Sequence, residues 1–520
     1  MKHAASRRTS RFAVALKDSA IALSALEPTA PIDWVSPSWA QSSAYALEVQ
    51  TERDPEGTIS PWIAESWEQN EDATSYVLHL RSGITFSDGT PLDAQAVVAN
   101  IEAWAVGRPD EGLPPVGLFP GGTFASAQAV DELTVQVDFT APTLSFLPTL
   151  GYHGCLLLAP SSLAGTLEQQ SDLAFQIGSG PFVLDPWAAG DHVRLVRRED
   201  YDWAPAVLGA SGPALLEAIT FRVLPDDTLR ASAARAHQTD LSYNMNPQLL
   251  ESFTDAGFHV EVPRYLGFVH GYSLRTDVPP PFDDVRVRQA FTHGIDRAEI
   301  LRTVFTDAWE PATSWLQAAV PEATDLTELF AYDPDLAASL LDEAGWTQRD
   351  ADGLRTKDGT QLGFTIYPTP YLSGSVPEAE LVSQHLARLG IHVRTQKLDI
   401  PTWAERVTNN PAQGVGEVTR SFVDVGTVAG VITDDGEDWF AVGSSDTELV
   451  RLRDALAGAV SREERAPIVD ELSRHVLEQA YFIPLEQNVQ RIYVQSPELT
   501  GITFNAVAIP SYHAATQDPS

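Results

Sequence analysis

Apolar and polar positions follow their clearest pattern between residues 59 and 104. Residues 75–80, Ser-Tyr-Val-Leu-His-Leu, alternate with a period of two, which predicts a half-buried strand. After the turn residues 81–83, residues 84–86 predict a second short strand. Another group of turn residues then leads to Asp93, which we predict to be the N-cap of an amphipathic helix that continues through Trp104. None of these residues is typical of a catalyst.

Helical and strand patterns are mixed along the rest of the chain as well, which predicts an α/β protein. Residues 335–344 have helical spacing, and Gly390 marks the end of a second amphipathic helix. Apolar runs predict strands near the beginning of the chain and on either side of that second helix. The predicted ranges are strands at 12–16, at 364–367 and from 391 onward, and the second helix at 377–389.

The composition excludes several classes of protein. The chain has 520 residues, enough for more than one domain, and a net charge of −37. Such an acidic chain is unsuited to bind nucleic acid or an anionic membrane surface. No run of 18 apolar residues is present, so no membrane-spanning helix is expected.

Cys155 is the only cysteine of the chain. An intrachain disulfide and a thiolate metal cluster are therefore both excluded. Because Cys155 begins the apolar run 155–158, for which we predict a strand, we interpret it as a packed core thiol.

Motifs typical of enzymes are missing from the sequence. There is no His-Glu-x-x-His zinc motif, no Gly-x-Ser-x-Gly nucleophile elbow and no phosphate-binding loop with its lysine. We therefore expect a binding protein, without a cofactor and without a bound metal. A hydrolase that gathers carboxylates in a cleft stays open as the alternative from another class, since carboxylates cannot be paired from sequence.

Five segments in order resemble the extracytoplasmic solute-binding proteins of the peptide/nickel type (family 5), which are the capture subunits of ABC importers. The first is the strand, turn and helix series described above, introduced by AESW at 64–67 and containing FSDGTP at 86–91. The others are GSGPF at 178–182 with REDYDW at 198–203, PFDDVRVRQA at 281–290 with IDR at 295–297, YDP at 332–334 with LLDEAGW at 340–346, and IPL at 483–485. One such motif is weak, but five in the family's order are specific.

The resemblance implies a two-lobed α/β fold like that of periplasmic binding proteins (type II, cluster C-like), with a subdomain inserted into the first lobe. Carried over to this chain, the first lobe comprises 1–45, 175–262 and a C-terminal return at 480–520. The insertion would be 46–174 and the second lobe 263–479.

The resemblance also implies a function. The expected ligand is a peptide or similar zwitterionic solute, delivered to the permease subunits of an ABC transporter in the membrane. A metal chelate, of nickel or a metallophore, is the alternative ligand, and a sensor or chaperone-like binder on the same fold is the alternative role. We expect an extracytoplasmic monomer. An export signal is not evident, because Lys17-Asp18 ends the apolar run 13–16 too early for the apolar region of a signal peptide.

Aromatic and charged residues in loops are candidates for ligand contacts. Trp34 and Trp39 lie in a loop rich in serine and proline, which in the family faces the cleft. In peptide-binding relatives, the segment corresponding to 414–424 carries an acidic residue for the peptide amino group. Here Arg420 offers a bidentate donor for a carboxylate, Asp424 is the candidate acidic residue and Phe422 an aromatic contact.

Two further loops supply the remaining candidates. Tyr152 and His153 precede the apolar run 155–158, in the region where metallophore-binding relatives use cationic or aromatic residues. Tyr243 and Asn244 lie in a loop that we also predict to reach the cleft. For each candidate, a packing or surface role is the alternative.

Overall fold

The computed structural model describes residues 11–16, 47–49 and 59–517, with short gaps in the last range. The gaps are 117–118, 152–153, 171, 186–191, 225, 264–265, 277–280, 307–308, 371, 373, 404–405, 407–414, 419–421, 423, 428–445, 488–490 and 506–507. In the described part, no helix is both long and apolar enough to cross a membrane.

Strands occur along the whole described chain. In chain order they are β1 (Arg11–Leu16), β2 (Leu47–Val49), β3 (Ile59–Pro61), β4 (Ala64–Gln69), β5 (Ser75–Leu80), β6 (Phe124–Ala129), β7 (Thr134–Phe139), β8 (Phe182–Leu184), β9 (His192–Arg197), β10 (Ala218–Val223), β11 (Leu241–Tyr243), β12 (His259–Glu261), β13 (His270–Leu274), β14 (Gln348–Arg349), β15 (Arg355–Lys357), β16 (Thr360–Gln361), β17 (Gly363–Ile366), β18 (His392–Thr395), β19 (Val415–Val418), β20 (Phe482–Glu486), β21 (Tyr493–Gln495), β22 (Leu499–Thr500), β23 (Thr503–Phe504), β24 (Pro510–Ser511) and β25 (Thr516–Gln517).

Helices alternate with these strands. The α-helices are α1 (Ala94–Ala105), α2 (Phe146–Thr149), α3 (Pro160–Leu163), α4 (Leu167–Gln170), α5 (Asp227–Arg235), α6 (Leu250–Asp255), α7 (Val285–His293), α8 (Arg297–Val304), α9 (Pro334–Glu343), α10 (Ser375–Arg388), α11 (Ile400–Trp403), α12 (Thr447–Gly458) and α13 (Arg462–Glu478). Short 3₁₀ helices are Pro109–Glu111, Gly121–Thr123, Leu173–Phe175, Ala206–Leu208, Pro247–Leu249, Thr327–Phe330 and Val425–Thr427.

The chain forms two compact units. The first comprises Met1–Met245, Leu249–Pro263 and Arg491–Ser520, and the second comprises Asn246–Gln248 and Arg264–Gln490. We predicted a return to the first lobe at 480. In the structure the chain leaves the second unit only after Gln490, because β20 pairs with β13 of that unit. Residues 46–174 belong to the first unit.

The largest sheet of the first unit is built around β1, which confirms the strand predicted at 12–16. Its strand order is β12-β21-β11-β1-β10-β9-β8. β1 pairs in parallel with both β10 and β11, and a continuous apolar run is typical of such a strand. Leu195, Ile219 and Leu241 are fully buried in the core that this sheet helps to form. Burying one such side chain stabilises the fold by about 1.5–3 kcal/mol.

A separate four-stranded sheet, β4-β5-β7-β6, confirms the strand predicted at 75–80. Its apolar positions Tyr76 and Leu78 are buried. The helix predicted to follow is α1, and the Asp93 carboxylate accepts the Ala96 N–H as its N-cap. The strand predicted at 84–86 is wrong. That segment forms only an isolated bridge to its own continuation across a turn, where the Phe86 N–H donates to the Thr90 carbonyl.

The run 155–158 also forms no strand and makes only a single bridge, from Leu158 to Gly178. The predicted core position of Cys155 is confirmed, because its thiol is fully buried. Burial raises the pKa of this thiol, so it stays protonated.

The second unit contains the other predicted elements. α9 begins after Asp333, whose carboxylate accepts the Leu336 N–H, and it has proline at its first position. β17 and β18 pair in parallel, and α10 lies between them in sequence. Gly390 follows the end of α10 with a φ of +86°, which favours glycine and accounts for the predicted stop. A three-stranded antiparallel sheet, β19-β13-β20, completes the part of this unit that matters below.

Candidate functional site

Five of the predicted contact residues lie outside the described residues. They are Trp34, Trp39, Tyr152, His153 and Arg420. Their roles stay predictions. The other four candidates are described, and they lie in different units: Tyr243 and Asn244 in the first, Phe422 and Asp424 in the second.

Tyr243 is the last residue of β11 and Asn244 follows it, shortly before the chain first leaves the first unit after Met245. The Tyr243 ring is buried against Tyr493 at a centroid distance of 5.3 Å. Asn244 is also buried and has a φ of +59°, a left-handed conformation that asparagine tolerates better than most residues. Its carbonyl accepts a 2.9 Å hydrogen bond from the buried guanidinium of Arg230, and its N–H donates to the Ile492 carbonyl at 2.7 Å. The backbone at Asn244 is therefore held from two sides.

Phe422 is part of an aromatic core. Its ring is 2% exposed and meets Phe268 edge to face at 5.3 Å. Phe268 in turn contacts Trp315, and the Phe422 N–H donates to the Leu266 carbonyl at 3.1 Å. The ring packs in this core, and its contact with a ligand stays a prediction.

Asp424 forms a buried ion pair with Arg465 of α13. Its two carboxylate oxygens accept from the guanidinium at 2.7 and 3.1 Å, and both side chains are less than 10% exposed. One of the oxygens also accepts the Gly426 N–H at 2.8 Å. If Asp424 held a ligand's amino group, that group would have to compete with this arginine.

The most concentrated group of ionisable side chains in the described part of the second unit is one that the sequence did not indicate. We call it the His270 cluster: His270 on β13, Glu417 on β19, Glu486 on β20 and Glu378 on α10. All four side chains are 1% exposed or less.

The three strands place the side chains of His270, Glu417 and Glu486 on one face of their sheet. Glu417 lies opposite Tyr272, the next residue after His270 on the same face of β13. On the other side His270 lies opposite Glu486, and the register shifts by one residue between His270 and Gly271. Such a bulge redirects the side chains around it. Gly271 permits it, because a Cβ there would lie 2.2 Å from the Ile483 carbonyl oxygen of β20.

Both ring nitrogens of His270 face carboxylates. Nε2 is 2.8 Å from Glu417 Oε1, while Nδ1 is 2.8 Å from Glu486 Oε1 and 3.1 Å from Glu378 Oε2. Glu417 has further partners: it accepts the Thr369 N–H and the Ser375 hydroxyl, each at 2.7 Å.

Burial and the neighbouring charges shift the pKa values of His270 and Glu378. Burial lowers the pKa of His270, but the charges of Glu378 and Glu486 outweigh it, and the pKa lies well above its usual value. Burial, followed by the charge of Glu486, raises the pKa of Glu378. The surroundings therefore favour the protonated form of both His270 and Glu378.

Sequence reasoning missed the cluster because its members are far apart in the chain, with His270 and Glu486 separated by 216 positions. The available signal was a charged residue inside an apolar strand. His270 follows Phe268-Val269, and Glu417 lies between small and apolar residues within the segment from which Asp424 was chosen instead.

Comparisons with known proteins place the chain among binding proteins. The sequence profile of the bacterial extracellular solute-binding proteins, family 5 Middle, matches residues 58–415. The glutathione-binding protein GsiB of Escherichia coli (strain K12) is 26% identical over 347 residues, 66% of this chain and 62% of that protein. The nickel-binding periplasmic protein of the same strain is 27% identical over 363 residues, 68% of this chain and 66% of that protein. The match thus spans less than two thirds of either relative.

A solved structure is similar over nearly the whole chain. The dipeptide binding protein from Pseudoalteromonas sp. SM9913, in complex with Met-Leu, has a TM-score of 0.80 with 18% sequence identity. The likeness covers 98% of this chain and 100% of that chain. It confirms the two-lobed α/β fold class expected from the sequence.

Proposed function

Because the chain belongs to family 5 of the bacterial extracellular solute-binding proteins, we propose that it is the solute-binding component of an ABC importer. It captures a peptide or similar zwitterionic solute and delivers it to permease subunits in the membrane. The observation that carries this proposal is the family match, which extends over residues 58–415 and so covers more than half of the chain.

The ligands in the names of similar proteins support this ligand class. One relative is named for glutathione, itself a peptide, and the similar solved structure holds the dipeptide Met-Leu. A solute with both an amino group and a carboxylate needs placed charges of each sign. Arg420 is our proposed partner for the carboxylate, and Trp34 and Trp39 are the proposed aromatic walls.

Capture by closure of two lobes is the mechanism we propose. Each unit has its own sheets and its own buried core. A lobe that moves as a rigid body needs both. A ligand that binds only the closed form shifts the population toward it. Tyr243 and Asn244 are proposed to contact the solute near the point where the chain first leaves the first unit.

A metal chelate is the second candidate ligand, and the nickel-binding relative favours it. Here Tyr152 and His153 are the proposed contacts, since an imidazole can hydrogen-bond a chelate's carboxylate or meet its metal.

We further propose that the protein acts outside the cytoplasm as a monomer and catalyses no turnover of its solute. The extracellular character of the family and the periplasmic nickel-binding relative support this location. The missing catalytic motifs support a role in binding.

Isothermal titration calorimetry with a small panel tests the proposal. The panel contains dipeptides, a tripeptide, glutathione, free Ni²⁺ and a nickel–histidine chelate. We expect one peptide class to bind with 1:1 stoichiometry and to reduce the radius of gyration in small-angle scattering. Binding of the chelate alone would favour the second candidate. Binding at an unchanged radius would contradict closure, and no binding by any member would contradict capture of a solute of either class.

A further inference from the structure

The His270 cluster gathers three carboxyl groups around one imidazole. Its three carboxylates and one imidazole are at most 1% exposed. Buried charges are stable in proteins when they are paired or coordinate a metal.

Arg297 is a buried arginine near the cluster, and it has other partners. Arg297 lies close enough to Glu486 to feel its charge, yet its guanidinium donates to backbone carbonyls of Pro484, Thr292 and Phe330. It stabilises the loops around the cluster and does not replace a cation within it.

Hydrogen bonding in the cluster is complete on one side and incomplete on the other. On the Nε2 side, Glu417 is held by the ring, by a backbone N–H and by a hydroxyl. On the Nδ1 side, Glu378 Oε2 has only its 3.1 Å contact with His270 Nδ1, while the other oxygen of Glu378, one oxygen of Glu486 and the Tyr272 hydroxyl are buried without a hydrogen-bond partner among the described residues. A single Nδ1–H cannot satisfy two carboxylates at once.

The spacing of the atoms on the Nδ1 side suits a metal ion. One ligand atom each from His270, Glu378 and Glu486 lie within 4.8 Å of one another, and two of these separations are 2.8 and 3.1 Å. Zinc binds histidine nitrogen and carboxylate oxygen at about 2.0–2.2 Å, so neighbouring ligand atoms lie roughly 3–3.5 Å apart. A small outward movement of the carboxylates is enough to admit the ion.

The fully bonded side has the arrangement that a metal site needs in its outer shell. A histidine that binds a metal usually gives its other N–H to a carboxylate, which fixes the ring orientation. Glu417 accepts from His270 Nε2 in this way, at 2.8 Å, and is itself fixed by Thr369 and Ser375.

We propose that the His270 cluster is a binding site for a divalent transition-metal ion of the zinc class, with His270 Nδ1, Glu378 and Glu486 as ligands. Imidazole with carboxylates is a nitrogen and oxygen ligand set that zinc accepts in four-coordinate sites. The Tyr272 hydroxyl or a water completes the coordination. The ion joins β13, β20 and α10, so it is a resident structural ion and not a transported solute, and the proposal does not depend on the proposed function.

Metal analysis of the full chain tests the site. The protein is unfolded in the presence of a chelator, refolded with and without Zn²⁺, and analysed by mass spectrometry of the element after dialysis. The wild type should retain one zinc per chain and unfold at a higher temperature than the zinc-free protein. Glu378→Gln and His270→Gln should lose at least 10-fold in zinc affinity, as expected when a ligand is removed.

A matched control is available in the same unit. His385 and Glu299 form another histidine–glutamate pair, 2.9 Å apart, with Glu299 partly exposed. Glu299→Gln should leave the zinc content at one per chain. Peptide or chelate binding is measured on the same variants. A variant that loses zinc but still binds the solute shows that the zinc site is separate from solute capture.

The proposal would be overturned by a wild type that holds no zinc after refolding, by unfolding temperatures that do not respond to zinc, or by a Glu378→Gln variant that keeps its zinc. If the ligand variants fail to fold, X-ray absorption at the zinc edge on the wild type decides. One imidazole with oxygen ligands supports the site, and any other ligand shell excludes it. An infrared band of a protonated carboxylic acid that persists in zinc-treated wild type and is missing from Glu378→Gln would likewise show a proton in place of the metal.

Discussion

At the scale of single residues, Asp424 offers a test between packing and binding. Its ion pair with Arg465 is buried, and removing one partner of a buried pair typically costs about 3–5 kcal/mol. We expect Asp424→Asn to lower the free energy of unfolding by at least about 2 kcal/mol, measured by chemical denaturation. The control Asp454→Asn, in a largely exposed pair with Arg453, should change it by less than about 1 kcal/mol. Unchanged stability together with weaker peptide binding would instead give Asp424 a ligand role.

Arg420 is the residue that we expect to bind the anionic group of the solute. A charge-assisted hydrogen bond contributes about 1.5–3 kcal/mol, so Arg420→Ala should weaken binding by that amount in calorimetry. Thermal stability should change little. Arg302→Ala, at an exposed arginine of α8, is the matched control and should bind normally. Equal affinities for both variants would place Arg420 outside the site.

The limit of sequence reasoning is clearest at this scale. Periodicity tells which face of an element is buried, but not which elements become neighbours. His270 and Glu486 are neighbours only because β13 and β20 pair. The local sequence around either residue does not indicate contact with the other. Phe422 shows a second reason, since an aromatic residue in a loop fits a core as well as it fits a ligand.

At the scale of elements, Asp446 connects the start of α12 to the end of α13. Its carboxylate caps α12 by accepting the Leu449 N–H and also accepts from His475 and Tyr481 at 2.7 Å. Burial opposes its ionisation, but these hydrogen bonds prevail and lower the pKa of Asp446 to about 2. Because this is below the unfolded value of 3.8, the stabilisation is present above pH of about 4 and is lost as the pH falls through about 2.

We therefore expect Asp446→Asn to lower the free energy of unfolding by about 1 kcal/mol at pH 7, after allowance for screening by solvent. The difference from the wild type should shrink toward zero near pH 2. Asparagine is as good an N-cap as aspartate, so this variant isolates the charge, and Asp446→Ala adds the loss of the cap. A difference that stays constant between pH 7 and pH 2 would contradict the role given to the ionised carboxylate.

Elements with both a periodic pattern and a cap could be predicted from sequence. α1 has Asp93, α9 has Asp333, and α10 has Gly390 after its end, so pattern and boundary agree. The segments 84–86 and 155–158 were predicted wrongly because a short apolar run indicates burial but not pairing. In both segments alternate residues are buried, and the backbone makes only isolated bridges.

At the scale of the whole molecule, the order of motifs predicted the family and the fold class. The point of return to the first unit was not predictable in the same way, because it depends on β20 pairing with β13 across the second unit. The identity of the solute belongs to this scale too, since one fold serves many ligands.

Solute capture is tested most directly by identifying what the native protein carries. The full chain is purified without denaturation, its bound small molecules are released by unfolding, and they are identified by mass spectrometry. We predict about one equivalent of a single peptide-like zwitterionic solute, which rebinds to the emptied protein with 1:1 stoichiometry. A protein that carries no small solute and also binds no peptide of the panel, or that carries only a solute without amino and carboxylate groups, would contradict peptide capture.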